Sequence, residues 1–403
     1  MQSTPAAPGT GPLNGIRVVE VGQLLAGPFA GTLLAYFGAT VIKIEPPGRG
    51  DPIRGWRTLD PEGTSYWWRS LGRNKLSVTA NLRSTAGRRI VRQLMDSADV
   101  VIENFKPGTM EKWGLGPLDL EKTNPRLIYT RISGYGQTGP YAHKPGYASV
   151  TEAFSGFRHL NGFPGEAPVR PNLSTGDTVS GIHAALGVLL ALLQRQQDGA
   201  GQVVDIALYE SMFNLMEGVI PEFSGAGEIR APSGTTITGI VPTNTYRCAD
   251  GRFVVIGGNG DSIFVRLMNA AGRSDIGEDP ACSDNQGRVQ HQARIDAAIA
   301  GWTATLSAAE VVATLEAADV PVGLIYDAQD MLNDPQYQAR GMFEEVEVPG
   351  GTLTIPALLP KLARTPGTTR WGGPEVGVHR DSVLKDLGYS AAEIEALAAN
   401  GDI

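Results

Sequence analysis

One carboxylate in this sequence has neighbours that suit covalent chemistry. Asp177 lies in the segment PNLSTGDTVSG, directly after Gly176 and shortly before Gly181, where an apolar helix is predicted to begin. The small neighbours leave room for a substrate on the carboxylate, and N–H groups of a first helical turn can stabilise an oxyanion. A nucleophile for acyl transfer is therefore one role that the pattern allows. Helix capping is the commoner role at such a position, because aspartate is a common N-cap residue.

A second polar group follows a predicted strand, in the segment ENFKPG. Asn104 offers an amide, Phe105 a ring for stacking, and Lys106 and Lys112 positive charge for phosphate. Open α/β sheets bind ligands at strand ends, so these residues are candidates for a ligand site. Solvated surface charge is the alternative.

Several common site types are absent from the sequence. It contains no P-loop, no G-x-G-x-x-G and no G-x-S-x-G segment, and its 5 histidines lack metal-ligand spacing. The net charge of -8 argues against nucleic acid as the main ligand. The longest apolar run, Ala184 to Leu193, is too short to span a membrane. Two cysteines cannot form a disulfide framework, which favours a reducing cytoplasm.

The elements that must position these residues alternate between strand and helix. Short apolar runs predict strands buried on both faces, at 16–21, 40–45, 99–103, 127–132 and 203–208. Helices are predicted between them, including a long one from Thr178 to about Gln197. The alternation predicts an α/β fold with a mostly parallel sheet and helices on both faces.

The pattern changes after about residue 220. Residues 221–240 are rich in Gly, Pro, Ser and Thr and read as a linker, and a hairpin signal and several helices follow. Capping boxes at Ser307 and Ser390 begin two later helices. We therefore expect a flexible tail (1–12), a large domain (13–222), a smaller α+β domain with linkers (223–325) and a return to the large domain (326–403).

Six motifs together resemble the class III CoA-transferases, the family of formyl-CoA transferase and carnitine CoA-transferase. In chain order they are LNGIRVVEVGQLLAGPFAGTLLAYFGATVIKIEPPGRGD, RNKLSVTANL, VVIENFKPGTMEKWGLG, NPRLIYTRISGYGQTGP, STGDTVSG and DPQYQARGMF. The resemblance covers about residues 13 to 370. It implies a Rossmann-like large domain built from both chain ends, an inserted smaller α+β domain, and an interlocked homodimer.

The resemblance also implies roles for individual residues. Asp177 matches the family's nucleophile, and no metal or tightly bound cofactor is implied. The positions that match CoA contacts are Leu25, Ala26, Ala80, Arg83, Asn104, Phe105, Lys106, Lys112 and Tyr147. The substrates would be an acyl-CoA and a free carboxylic acid, handled in the cytoplasm without nucleic acid or membrane.

Residues for the acyl group are also suggested. The segment 257–260, which contains Gly257 and Gly258, resembles the family's mobile glycine-rich loop, although an ordinary turn after a strand is the alternative. Trp56 and Arg170 are candidates for the acyl pocket, and an arginine could hold the distal carboxylate of a donor such as succinyl-CoA. A structural ion pair is the alternative role for Arg170.

The sequence departs from the family pattern at two positions, and two other functions stay open. Pro46 replaces a basic residue of formyl-CoA transferase, and Ala148 replaces an aspartate found in many relatives. One open function is an α-methylacyl-CoA racemase or epimerase, although Tyr147 stands where that branch has its catalytic histidine. The other is a non-catalytic or dinucleotide-binding Rossmann protein, against which the missing G-x-G-x-x-G counts.

Overall fold

The computed structural model describes residues 11–403, which divide into two compact units. The first unit contains residues 11–157, Pro171–Glu217 and Gln338–Ile403, and the second contains Arg158–Arg170 and Gly218–Tyr337. Residues 1–10 of the predicted tail lie outside the described residues. The domain boundaries drawn from the sequence stay a prediction.

The first unit is built on a parallel sheet of six strands. They are β1 (Arg17–Glu20), β2 (Thr40–Glu45), β3 (Lys75–Thr79), β4 (Val100–Glu103), β5 (Ile128–Ser133) and β6 (Val203–Ala207). Their spatial order is β3-β2-β1-β4-β5-β6, and every neighbouring pair is parallel. The predicted α/β class with a parallel sheet is confirmed. Because the order reverses between β1 and β4, the carboxyl ends of these strands form a crevice suited to ligands.

Helices cover both faces of this sheet. They are α1 (Ala26–Tyr36), α2 (Tyr66–Leu71), α3 (Thr85–Asp96), α4 (Thr109–Lys112), α5 (Pro117–Leu120) and α6 (Ala148–Phe154), then α8 (Thr175–Asp198) and α9 (Leu208–Phe213), with a 3-10 turn at Pro52–Gly55. The short helix α7 (Phe157–Leu160) follows α6, and its residues 158–160 belong to the second unit. Neighbouring residues of one strand face opposite cores, since Val19 packs with α3 residues and Val18 with α1 and α8 residues. This alternation explains why the strands are apolar throughout.

The second unit has its own core. An antiparallel sheet of β7 (Thr243–Arg247), β8 (Phe253–Gly257) and β9 (Val322–Leu324) packs with helices in a separate apolar cluster. Its helices are α10 (Val219–Ala226), α11 (Asp261–Ala270), α12 (Ser274–Gly277), α13 (Asn285–Gln290), α14 (Gln292–Thr303), α15 (Ala308–Ala317) and α16 (Ala328–Asn333), with a 3-10 turn at Pro280–Cys282. The short helix α17 (Pro335–Ala339) contains the boundary, because the first unit resumes at Gln338. The predicted linker 221–240 is therefore partly helical, because α10 occupies its first residues.

The chain then returns to the first unit. It adds an antiparallel hairpin of β10 (Phe343–Val348) and β11 (Gly351–Pro356), and then α18 (Arg380–Asp386) and α19 (Ala391–Ala399). The last two helices bury Leu384 and Ile394 in the core that contains Val19. Both predicted capping boxes are present, with Ser307 and Ser390 each accepting from the backbone N–H of the glutamate that follows.

The α8 helix has two unlike sides. It buries Ala184, Val188 and Leu192 against the sheet core, whereas other apolar side chains stay exposed. Among residues 11–403 it is the single continuous helix that is long and apolar enough to cross a membrane. The core helix of a folded protein meets the same criterion, and its packing against β5, β6 and α1 fits that interpretation.

Candidate active site

A cavity of about 320 Å³ lies at the carboxyl ends of the central strands. Its lining includes the turn after β1, the segment after β4, the end of β5 and the first residue of α9. Asp177 lines the same cavity, and so do Ala26, Asn104, Phe105, Lys106 and Tyr147. The fold therefore gathers the proposed nucleophile and most of the predicted CoA contacts at the crevice where strand order reverses.

Asp177 is the third residue of α8, not the residue before the helix. The helix begins at Thr175, and its N-cap is Ser174. The sequence prediction of a start at Thr178 was therefore wrong, and so was the alternative that Asp177 is the N-cap. A carboxylate in a first turn is still favoured electrostatically by the N–H dipoles of that turn.

The turn after β1 is held by side chains from three other places in the chain. The amide of Asn104 accepts a hydrogen bond from Gln23 N (2.7 Å) and donates one to Gln23 O (2.8 Å). The Asp51 carboxylate accepts from Leu24 N, and Lys43 donates to Gly22 O. Leu24 has a φ of 65°, which a leucine rarely adopts. These contacts fix one wall of the Asp177 cavity.

Asn104 has a structural task in addition to the CoA contact that is predicted for it. Both of its amide atoms contact the backbone of Gln23, so its side chain shapes the cavity wall. Asn104 also lines the cavity, and its contact with CoA stays a prediction.

A buried charge network lies beneath this turn. Lys43 is 3.1 Å from Glu20 and 2.7 Å from Asp51, and Lys75 is 2.8 Å from Glu20. Burial lowers the pKa of Lys75 to about 8, although Glu20 opposes the change. For Lys43, burial is outweighed by Asp51 and Glu20, which together raise its pKa. The network pairs two ammonium groups with two carboxyl groups, which is the arrangement that buried charges require.

The segment after β4 is held in a similar way. Glu103 accepts hydrogen bonds from Phe105 N (2.8 Å) and from Arg131 Nε (2.9 Å). Burial raises the pKa of Glu103 to about 7, although Arg131 opposes the change. The Phe105 ring packs edge-on against Trp113 at 5.3 Å, which fixes it at the cavity wall.

Four predicted CoA contacts do not line this cavity. Leu25 is buried and lines a second, mostly apolar cavity of about 670 Å³ in the same unit. Ala80 is buried in the core at the end of β3, whereas Arg83 and Lys112 are exposed. The structure thus gathers Asp177 and five of the predicted CoA contacts around one cavity and places these four elsewhere. The contact of these four residues with CoA stays a prediction.

The predicted acyl-group residues also lie elsewhere. Trp56 is 45% exposed and lines neither cavity. Arg170 is exposed and belongs to the second unit, as do Gly257 and Gly258. Gly258 donates to Pro242 O, and a side chain there would meet Leu267 at 2.5 Å, which explains the glycine by packing alone. The predicted roles of these residues are untested.

Sequence reasoning missed a second lysine of the cavity. Lys144 is exposed, lines the cavity beside Tyr147, and lies over the Tyr141 ring with its ammonium 3.4 Å from the ring centre. Its position close to Tyr147 in the sequence was the available signal. With Lys106 it gives the cavity two positive charges, which suits a ligand that carries phosphate. Within residues 11–403 no cluster of three His, Cys, Asp or Glu could hold a metal ion.

Comparison with known proteins identifies relatives along nearly the whole chain. The family model for CoA-transferase family III matches residues 13–380. A succinyl-CoA–D-citramalate CoA-transferase from Chloroflexus aurantiacus is 46% identical over 93% of this chain and 94% of its own. A succinate–glutarate CoA-transferase from Agrobacterium fabrum is 34% identical over 93% of this chain and 96% of its own.

Solved structures are similar over the same length. The crystal structure of a CaiB/BaiF family protein from Brucella suis matches with a TM-score of 0.85 and 31% identity, over 94% of this chain and 99% of that one. A hypothetical protein from Mycobacterium tuberculosis matches with a TM-score of 0.81 and 31% identity, over 93% and 99% of the two chains.

Proposed function

The chain belongs to CoA-transferase family III, and from that premise we propose that it moves CoA from a dicarboxylic acyl-CoA to a second carboxylic acid through Asp177. It is a class III CoA-transferase, and its substrates are an acyl-CoA and a free acid. The observation that carries the proposed residue roles is the cavity that joins Asp177 to Phe105, Lys106 and Lys144 at the strand ends.

The cavity volume of about 320 Å³ suits the acyl group and the pantetheine arm of CoA. The nucleotide then extends beyond it, and positive charge for its phosphates comes from Lys106 and Lys144 of the lining and from the exposed residues Arg83 and Lys112. Phosphate groups pair well with such side chains. The roles of Arg83 and Lys112 rest on the resemblance to the family.

The proposed reaction proceeds in four steps. The Asp177 carboxylate attacks the thioester carbonyl of the donor, which forms a mixed anhydride and releases CoA thiolate. The thiolate attacks the Asp177 carbonyl, which gives an aspartyl-CoA thioester and releases the donor acid. The acceptor carboxylate then attacks this thioester, which forms a second anhydride and releases the thiolate again. Attack of the thiolate on the acceptor carbonyl yields the new acyl-CoA and restores Asp177. Each step exchanges one acyl bond for another, so no redox partner is needed.

We propose a dicarboxylic donor such as succinyl-CoA. The similar proteins include a succinyl-CoA–D-citramalate and a succinyl-CoA–L-malate CoA-transferase. Arg170 precedes Asp177 closely in the chain, and a guanidinium can hold a distal carboxylate with two hydrogen bonds.

The two other functions have less support. The strand order is one that dinucleotide-binding proteins also use, so the fold alone does not distinguish them. Family membership and the curated relatives favour CoA transfer. The racemase alternative lacks its proton-transfer group, because Tyr147 stands at the histidine position of that branch.

We further propose a cytoplasmic homodimer whose chains interlock. The exposed apolar side chains of α8 support an association between chains, because a surface stripe of this kind usually has a partner. Both buried cysteines are free, which agrees with a reducing compartment.

Replacement of Asp177 tests the proposed function. Asp177→Ala should lower the rate of CoA transfer by at least about 10⁴-fold, because it removes the nucleophile, and should leave CoA binding within a few-fold. Transfer is measured by mass detection of products over a panel of mono- and dicarboxylic donors and acceptors.

Trapping gives an independent result. Hydroxylamine added during turnover should modify the peptide that contains Asp177, and the variant should show no modification. Transfer at the normal rate by the variant, or modification of a different peptide, would remove the proposed mechanism. A donor preference for monocarboxylic acyl-CoA would remove the substrate proposal alone.

A further inference from the structure

The first turn of α8 receives a hydrogen-bond acceptor from another helix. The Ser174 side chain makes no capping hydrogen bond, although Ser174 is the N-cap residue. Gly176 N, directly before the nucleophile, instead donates to Glu152 Oε1 at 3.2 Å. Glu152 lies on α6 and its side chain is fully buried. A carboxyl oxygen from a separate helix thus does the task that a capping side chain normally does.

Close packing fits Glu152 to this position. A Cβ atom on Gly176 would lie 3.3 Å from both Cγ and Oε1 of Glu152, and 3.1 Å from Cβ of Ala148. Such contacts are tighter than ordinary side chains make, so the glycine before Asp177 allows α6 to approach α8. The N-cap of α6 is Tyr147, which lines the Asp177 cavity. One short helix therefore contributes both a cavity wall and a support for the nucleophile's backbone.

We propose that Glu152 is a positioning residue that caps α8, so that this capping bond does not depend on the side chain that reacts. The inference rests on the proposed function, because it requires that Asp177 be acylated. In every turnover the Asp177 carboxylate becomes an anhydride, in which one of its oxygens bridges two acyl groups, and then a thioester, from which that oxygen has left with the donor acid. The side chain carries no charge in either state. A helix start capped by Asp177 would weaken at each of these steps. Glu152 is not consumed, so Gly176 N keeps the same acceptor throughout the cycle.

Two substitutions at Glu152 separate capping from other effects. Glu152→Ala should lower kcat for CoA transfer about ten- to a hundredfold, because the rate of attack depends steeply on the position of the nucleophile. The KM for the acyl-CoA should change less than about twofold, since Glu152 does not line the cavity. Glu152→Gln should restore kcat to within about threefold of the unmodified enzyme, because the amide oxygen still accepts from Gly176 N. Equal losses in both variants, or a change in KM alone, would overturn the proposal.

Asp99 provides a matched control at the other end of the same helix. It accepts from Arg195 of α8 at 2.9 Å, so Asp99→Ala also removes a carboxyl contact to this helix. This variant should melt at a lower temperature and keep its kcat. A loss of kcat as large as that of Glu152→Ala would show that general loosening of α8, and not its cap, limits the rate.

A second route applies even if Glu152→Ala fails to fold. Gly176→Ala presses its new methyl group against Glu152 and Ala148, and should lower kcat in the Glu152→Gln protein as well as in the unmodified one. Unchanged kcat in both would overturn the inference. Hydroxylamine trapping distinguishes a failure of the proposed function from a failure of the capping role. If the Asp177 peptide of the unmodified enzyme is not labelled, the proposed function is contradicted. If the Glu152 variants show normal labelling and a normal kcat, only the capping role is contradicted.

Discussion

At the scale of single residues, the site combines side chains that react or bind with side chains that hold backbone. Asp177, Lys106 and Lys144 line the cavity, whereas Asp51 and Lys43 act on the turn after β1 from beneath it. The motif ENFKPG predicts a ligand site, and four of its residues line the cavity with Asp177, but the sequence does not tell which of its side chains instead hold the backbone. Its asparagine is directed to another loop of the same wall.

The role of Asn104 leads to a prediction. Asn104→Ala removes two hydrogen bonds to Gln23 and should raise the KM for the acyl-CoA about tenfold, at about 0.5–1.5 kcal/mol for each bond. The change follows from a loosened turn, so CoA binding measured by calorimetry should weaken by a similar factor.

Asn124→Ala is the matched control for this substitution. Asn124 also donates its amide to backbone carbonyls of the first unit, at Ala98 and Met95, and does not line the cavity. It should reduce thermal stability without changing the KM. A KM effect of equal size in both variants would contradict the special role of the turn.

At the scale of elements, charged pairs lie at the ends of the strands that form the crevice. Glu103 at the end of β4 is buried beside Arg131 of β5, and it also fixes the backbone of Phe105. Burial makes the ionised form of Glu103 unfavourable, and the pKa of its carboxyl group therefore rises to about 7.

The sign of the resulting pH dependence follows from proton binding. Between about pH 4.5 and 7 the folded protein keeps a proton on Glu103 that the unfolded chain has lost. The contribution of Glu103 to the free energy of unfolding is therefore fully present below pH 4.5 and is lost as the pH rises to about 7. Glu103→Gln should remove this part of the slope. Urea unfolding at several pH values is the measurement.

Glu121→Gln serves as the comparison, since Glu121 is exposed at the end of α5. Its unfolding curves should keep the pH dependence of the unmodified protein. A slope that persists in Glu103→Gln would show that other groups dominate this pH range.

At the scale of the whole molecule, the exposed apolar face of α8 indicates a surface that binds another protein chain. Ile182, Leu186, Leu190 and Leu193 are each at least half exposed and lie on one side of the helix. A second copy of the chain is the proposed partner.

Mass measurement in solution tests this assembly. Light scattering after size exclusion should give twice the chain mass of 42.7 kDa. Leu190→Glu should lower the fraction of dimer or the yield of folded protein, because it places a charge on the face that the proposed dimer buries. Leu118→Glu, at a site 75% exposed and outside α8, should leave the dimer intact. A monomer in the unmodified protein would contradict the proposal.

The sequence alone determined the features that depend on residues close together in the chain. Short apolar runs predict five of the six strands of the parallel sheet and miss β3, and the capping boxes at Ser307 and Ser390 mark helix starts, because each signal lies within one element or turn. The segment STGD places Asp177 close to the start of a helix for the same reason. The family resemblance added the chemistry of CoA transfer through the order of its motifs.

Only the tertiary structure decided which distant groups meet. Asn104 contacts Gln23 across 81 residues, Asp51 contacts Leu24 across 27, and Glu152 contacts Gly176 across 24. No local pattern encodes these pairs, because they follow from the order of strands in the sheet and from how closely helices pack. The same reason explains the wrong start for α8: its first turn is stabilised by an acceptor from α6, which a search for capping residues beside the helix does not find.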